Sequence, residues 1–107
     1  MLLLTTKDRR SGKPRTTPLI YEDADGAYVI VASKGGAPEH PGWYQNLVRE
    51  PQVELQVKDQ VFPARARTAR GDERAQLWKL AAQQWPDYDA YQKRTERQIP
   101  VVVLERV

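Results

Sequence analysis

Cysteine is absent from the 107 residues, so neither a disulfide framework nor thiolate metal ligation is available. Histidine occurs once, as His40, which excludes multi-histidine metal sites and argues against a metalloenzyme. No apolar run approaches the roughly 18 residues that a bilayer-spanning helix needs. Leu2-Leu3-Leu4 is too short for a signal-peptide core and has no charged region before it. Ser-His-Asp and Cys-His arrangements are missing, and the carboxylates are scattered without a catalytic pair. A chain so poor in acid–base machinery needs a cofactor for difficult chemistry. Without repeats, linkers or low-complexity stretches, residues 1–107 read as one cytoplasmic domain.

Positive charge, by contrast, is concentrated. Lys7-Asp8-Arg9-Arg10-Ser11-Gly12-Lys13-Pro14-Arg15 carries a local charge of +4, whereas the whole chain carries only +3. Everything outside this stretch therefore sums to −1. Gly12 and Pro14 supply turn chemistry between two strand-like runs. The stretch is either a solvated basic turn or a hairpin offering guanidinium groups and backbone N–H donors to a phosphate or carboxylate.

The remaining elements follow from patterning. Strands are expected at Met1–Thr6, Thr16–Tyr21 and Ala27–Ala32, the last apolar enough to be covered on both faces. A four-residue turn, Asp23–Gly26, should make the second and third strands neighbours. Ser33–Pro41 is a loop with two glycines and two prolines, leading into a short helix that runs through Arg49. Gln52–Val57 and Val61–Thr68 alternate as half-buried strands, with Phe62, Ala64 and Ala66 on one face and Arg65 and Arg67 on the other. A helix opens at Asp72 and Glu73, presents Leu77, Trp78, Ala81, Ala82 and Trp85 on one face, and breaks at Pro86. Asp87–Arg97 reads as a second helix or helical turn, and Ile99–Leu104 as a closing strand. About six mostly antiparallel strands with two or three helices and no βαβ alternation imply a mainly β fold, a barrel with helical decoration.

Chemistry could sit in three places: the basic hairpin, the Ser33–Pro41 loop, and an aromatic set. Gly35 and Gly36 would let a ligand approach the loop backbone closely, and Lys34 adds a positive charge. Each is also consistent with an ordinary strand-to-helix loop. Trp43, Tyr44, Trp85, Tyr88 and Tyr91 could wall a planar ligand, although Trp78 reads as helix packing and His40 as a helix-entry residue. A basic barrel binding single-stranded nucleic acid is the competing reading.

Several segments resemble the deazaflavin-dependent nitroreductase and quinone reductase family. They are Leu3–Thr6, Arg9–Leu19, Ala32–Gly36, His40–Leu47, Pro51–Leu55, Trp85–Thr95 and Ile99–Leu104, and together they cover nearly the whole chain in order. The resemblance implies a split β-barrel binding coenzyme F420, an 8-hydroxy-5-deazaflavin with a phosphate and an oligoglutamate tail. It implies hydride transfer to a quinone or nitroaromatic acceptor, with a non-catalytic cofactor carrier as the alternative. Arg9, Arg10, Ser11 and Arg15, helped by Lys34, would meet the phosphate and tail. Pro18, Ala32, Ser33, Gly35, Gly36 and Trp43 would line the ring, and Trp85, Tyr88 and Tyr91 the acceptor side. Tyr88, or else Ser33, would deliver the proton that follows the hydride.

Family members usually carry Gly in place of Asp8 and Tyr in place of Trp85, and have an N-terminal helix that this chain is expected to lack. That helix can associate with membranes, so peripheral membrane association through a missing segment is part of the expectation, as is a homodimer.

Overall fold

The computed structural model describes residues 1–107. Seven strands form one antiparallel sheet: β1 (Leu2–Lys7), β2 (Pro14–Leu19), β3 (Glu22–Ala24), β4 (Ala27–Val31), β5 (Gln52–Val57), β6 (Gln60–Thr68) and β7 (Val101–Arg106). Three helices accompany it: α1 (Gly42–Arg49), α2 (Gly71–Gln84) and α3 (Asp87–Lys93). The mainly β, antiparallel expectation is met. The seventh strand is β3, a three-residue piece hidden in what reads as a turn. Asp25 and Gly26, at φ 54° and 85°, form its hairpin with β4.

The sheet order is β2-β1-β5-β6-β7-β4-β3. This corrects the expectation that the strands at 16–21 and 27–32 are paired neighbours. β2 pairs only with β1, and β4 pairs with β7 and β3, so the two lie toward opposite ends of the sheet. The sheet nevertheless curls around one core. Leu2, Leu4, Ile30, Leu55, Phe62, Val102 and Leu104 pack in a single buried cluster, with Leu19 of β2 against it. Burying each such side chain is worth about 1.5–3 kcal/mol. The outcome is a half-barrel with β2 and the short β3 as edge strands. Because β3 covers only Ala27–Val29, an open seam lies between β2 and the end of β4.

The two faces of β4 and β7 explain their unbroken apolar sequence. Ile30, Val102 and Leu104 point into the barrel, while Val29, Val101 and Val103 pack with Ala69 on the outer face, near Leu77 and Trp78 of α2. Val31, Ala81, Tyr88 and Ile99 form a third cluster under α3. β5 and β6 keep the alternation expected of half-buried strands. Pro63 lies one residue before the β7 pairing begins, where its missing N–H costs no ladder bond on that side.

Two helix expectations need adjustment. α3 stops at Lys93 rather than Arg97. α2 stops at Gln84, because the residue before Pro86 is driven to extended backbone, φ −137° and ψ 83° at Trp85. Trp85 therefore leaves the α2 face and is 45% exposed instead of packing beside Trp78. Trp78 does pack, with its indole N–H donating to Asp89 Oδ1 at 2.8 Å and the Arg74 guanidinium over its ring. No helix is long and apolar enough to cross a membrane.

Candidate functional site

The basic stretch is a hairpin closed by the Lys7–Pro14 pair of β1 and β2. Its tip is organised by Asp8. One oxygen of that carboxylate accepts the backbone N–H groups of Arg10 (2.8 Å) and Ser11 (3.0 Å), and the other accepts Arg15 Nε at 3.1 Å. These hydrogen bonds, those from the backbone above all, hold the Asp8 carboxyl far below the ordinary carboxylate range. The two tip N–H donors expected to face a ligand are thus already engaged, and Arg15 is held through its Nε.

Arg9 plays a different part. Its backbone N–H and a terminal guanidinium N–H both donate to Asn46 Oδ1 on α1, at 3.1 and 2.9 Å, and the same nitrogen lies 3.4 Å from the Gly42 carbonyl. The Asn46 amide donates onward to Thr6 Oγ1. Asn46 and Thr6 are both buried, and this mutual satisfaction is what allows it. The hairpin is therefore riveted to α1. A cavity of about 390 Å³ opens between them, lined by the 7–12 stretch with Arg49 and Glu50 and by no apolar residue.

The loop between β4 and α1 makes three successive left-handed residues, Lys34, Gly35 and Gly36, at φ 46°, 64° and 84°. Gly36 is required for packing rather than ligand approach. A Cβ there would lie 2.7 Å from the Tyr91 carbonyl oxygen and 3.0 Å from Arg94 Cβ. A Cβ at Gly35 would meet nothing within 4 Å. The Lys34 ammonium is paired with Glu39 at 3.0 Å.

Beneath the loop lies Arg97, which the sequence reading did not single out. Its guanidinium donates to the carbonyls of Ala37 (2.8 Å), Ser33 (2.8 Å) and Ala32 (3.2 Å) and meets His40 Nδ1 at 2.9 Å. Burial, then the Arg97 charge, lowers the His40 pKa, so the ring is neutral with Nδ1 as acceptor. His40 is a loop-anchoring residue, in line with its expected helix-entry role.

A second cavity, also about 390 Å³, is a groove along the open seam. Its walls are Met1, Pro18, Leu19 and Ile20 from β2 and the chain beside it, Ile30 and Val31 from β4, Ser33, Lys34 and Gly35 from the loop, Pro41 and Trp43 at the start of α1, and Trp85, Tyr88 and Tyr91 around α3. Nine of the fourteen lining residues are hydrophobic, which suits a planar organic ligand in contact with a few polar groups. The Tyr88 phenol is pushed up to about 12, by burial first and then by Glu22 and Tyr91, and no protein hydrogen bond contributes to the shift.

The structure thus brings Pro18, Ser33, Lys34, Gly35, Trp43, Trp85, Tyr88 and Tyr91 to one groove, and Arg9, Arg10 and Ser11 to the cationic cavity. It leaves three candidates outside both. Ala32 is fully buried behind the loop, Gly36 faces α3, and Arg15 is tied to Asp8. The two cavities flank α1, its first turn in the groove and its last turn at the hairpin. Eight helical residues span about 12 Å. Ile20, Pro41, Arg49, Asn46 and Arg97 were not singled out. Apolar lining gives no periodic signal, and Arg97 is one cation among many in its segment.

A family model described as F420H(2)-dependent quinone reductase matches residues 1–106. The F420H(2)-dependent quinone reductase Rv1261c of Mycobacterium tuberculosis (strain ATCC 25618 / H37Rv) is 44% identical over 108 residues, covering 98% of this chain and 72% of the relative. Among solved structures, an F420-H2 dependent reductase, FDR-A, superposes with TM-score 0.88 at 46% identity, covering 97% of this chain and 92% of that one. Another, described as a domain-swapped dimer, gives TM-score 0.89 at 46% identity and covers 97% and 78%.

Proposed function

The chain belongs to the F420H(2)-dependent quinone reductase family, and from that premise we propose that its seam groove receives the deazaflavin ring while the hairpin cavity receives the anionic tail. It is an oxidoreductase that uses reduced coenzyme F420 to reduce a quinone. The nucleic-acid-binding reading is dropped accordingly.

One observation carries the assignment of the two cavities: α1 is a wall common to both. An aromatic, mostly apolar groove lies at its first turn and an all-polar cavity with Lys7, Arg9, Arg10 and Arg49 at its last. That donor set fits an elongated molecule with a flat ring at one end and several negative charges at the other. With the tip N–H groups held by Asp8 and Arg15 outside the cavity lining, side chains such as Arg10 and Arg49 are the groups that meet the charges.

Reduced F420 supplies a hydride from C5 of its ring. The residues of this chain position and protect that transfer. Trp43 and Pro18 would press on the ring, and Trp85 and Tyr91 would press on the acceptor, leaving little room for water between the two. A quinone that takes a hydride must also take a proton. Tyr88 keeps its own proton at working pH, since its phenol is pushed up to about 12. It therefore serves best as a hydrogen-bond donor from Oη to the acceptor oxygen, with water completing the protonation and Ser33 Oγ as the second candidate. Nitroaromatics of similar shape would occupy the same wall.

Titration of the purified protein with F420 and with FMN, followed through each chromophore, tests the reading. Saturable binding of the deazaflavin alone is expected. Preference for FMN, or a wild-type affinity in Arg10→Glu, would overturn the assignment of the two cavities. Pairing of two copies is a further expectation, checked by light scattering. A monomer across the micromolar range would dismiss it.

A further inference from the structure

We infer that Arg97 is a positioning residue that aims two backbone N–H groups of the β4–α1 loop into the groove. The proposal rests on the groove's reading as the deazaflavin site and extends it to a residue that does not line it.

All four partners of the Arg97 guanidinium belong to the 32–40 segment: three carbonyls and His40 Nδ1. A planar cation with a fixed fork can hold such divergent acceptors together, whereas a single ammonium cannot. Peptide units are planar and trans, and no cis bond occurs here, so each N–H points opposite to the carbonyl of its unit. Holding the Ala32 and Ser33 carbonyls toward Arg97 turns the N–H groups of Ser33 and Lys34 the other way. Both residues line the groove, and neither N–H has a backbone acceptor. Two unpartnered donors on successive peptide units match the carbonyl-bearing edge of a flavin-like ring, whose two carbonyl oxygens lie on either side of a ring N–H.

The loop would not hold this shape unaided. Lys34 sits at φ 46°, in the left-handed region that a side chain disfavours, followed by two more left-handed residues. Gln92 fixes the clamp from behind. Its amide N–H donates to the Arg97 carbonyl at 2.8 Å, and its oxygen accepts the Ile99 N–H at 2.9 Å. The cofactor loop and the α3 segment that carries Tyr88 and Tyr91 are thereby joined through one side chain.

The test uses a deazaflavin that lacks the phosphate and glutamate tail, titrated by fluorescence, beside tailed F420. Arg97→Met is expected to weaken the tailless ligand about tenfold, the cost of misdirecting one or two hydrogen bonds, and the tailed ligand by the same factor. Arg97→Lys should fall between Met and wild type. The His40 titration, read by NMR, should move up toward its ordinary value in Arg97→Met. Should the Met variant fail to fold, Arg97→Lys alone decides: a normal melting temperature with weakened tailless binding supports the proposal. Wild-type affinity for the tailless ligand in either folded variant overturns it. If the wild-type protein itself ignores deazaflavin, the underlying reading fails instead, a distinct outcome.

Discussion

The Asp8 carboxylate sits 3.1 Å from Arg15 Nε while its other oxygen takes two backbone N–H groups of the hairpin tip. The protein has in effect placed an anion of its own in the cradle where one would look for a ligand's. Asp8→Asn separates the two consequences. The amide oxygen can keep both backbone bonds, but its NH₂ group turns away the Arg15 guanidinium and the negative charge is gone. Tailed F420 should bind about three- to fivefold tighter, the scale of one exposed charge pair. The tailless ligand should be indifferent. Equal or weaker binding of the tailed form by isothermal titration would mean that Asp8 acts only to shape the turn.

Tyr88→Phe removes the one hydroxyl that combines burial with a place in the groove. Its phenol does not ionise until pH approaches 12, so no limb of the rate profile between pH 6 and 10 should belong to it. Turnover with a quinone should fall about tenfold, with deazaflavin affinity unchanged. Steady-state rates that match the wild type would remove the Tyr88 hydroxyl from the mechanism.

His40 predicts an acid-side loss of stability. Its folded pKa is lowered from 6.5, so the unfolded chain binds the proton more readily and stability rises with pH through that region. The contribution is fully present above about pH 6.5 and is lost as the pH falls below it. Asp8 and Glu73 are lowered carboxylates, whose contributions are lost only further down, below about pH 4. Denaturant midpoints between pH 5 and 7 should therefore slope in the wild type and flatten in His40→Gln. A slope that survives the substitution would assign it to another group.

The two adjacent glycines should behave differently. Gly36→Ala forces a methyl to within 2.7 Å of the Tyr91 carbonyl oxygen as well as straining a left-handed residue, and should cost about 2–4 kcal/mol. Gly35→Ala carries only the backbone strain of about 1 kcal/mol. Urea unfolding of both variants measures the difference, and equal costs would refute the close approach of loop and α3.

Much of this was readable beforehand. The alternation of Val53 and Leu55 against exposed neighbours, the unbroken apolar runs of β4 and β7, and the turn chemistry at Gly12 and Pro14 are local signals, and local signals survive folding. The sheet order was not readable. A short link between Thr16–Tyr21 and Ala27–Ala32 suggests a hairpin, yet Ala27–Val31 pairs instead with Glu22–Ala24 inside the link and with Val101–Arg106 far along the chain. The positions of Ala32 and Gly36 outside the groove lining were unreadable for the same reason. Both lie in the right loop, but the face each presents depends on α3 and Arg97, more than 50 residues later.

The seam between β2 and β4 has one last implication. Its two banks are a short stretch of chain apart, yet five strand pairings separate them around the sheet. A guest lodged there would bridge what the backbone leaves unstitched, as a keystone does an arch. Empty, the molecule should breathe along that line. Filled, it should resist heat and protease in proportion to how tightly the guest is held.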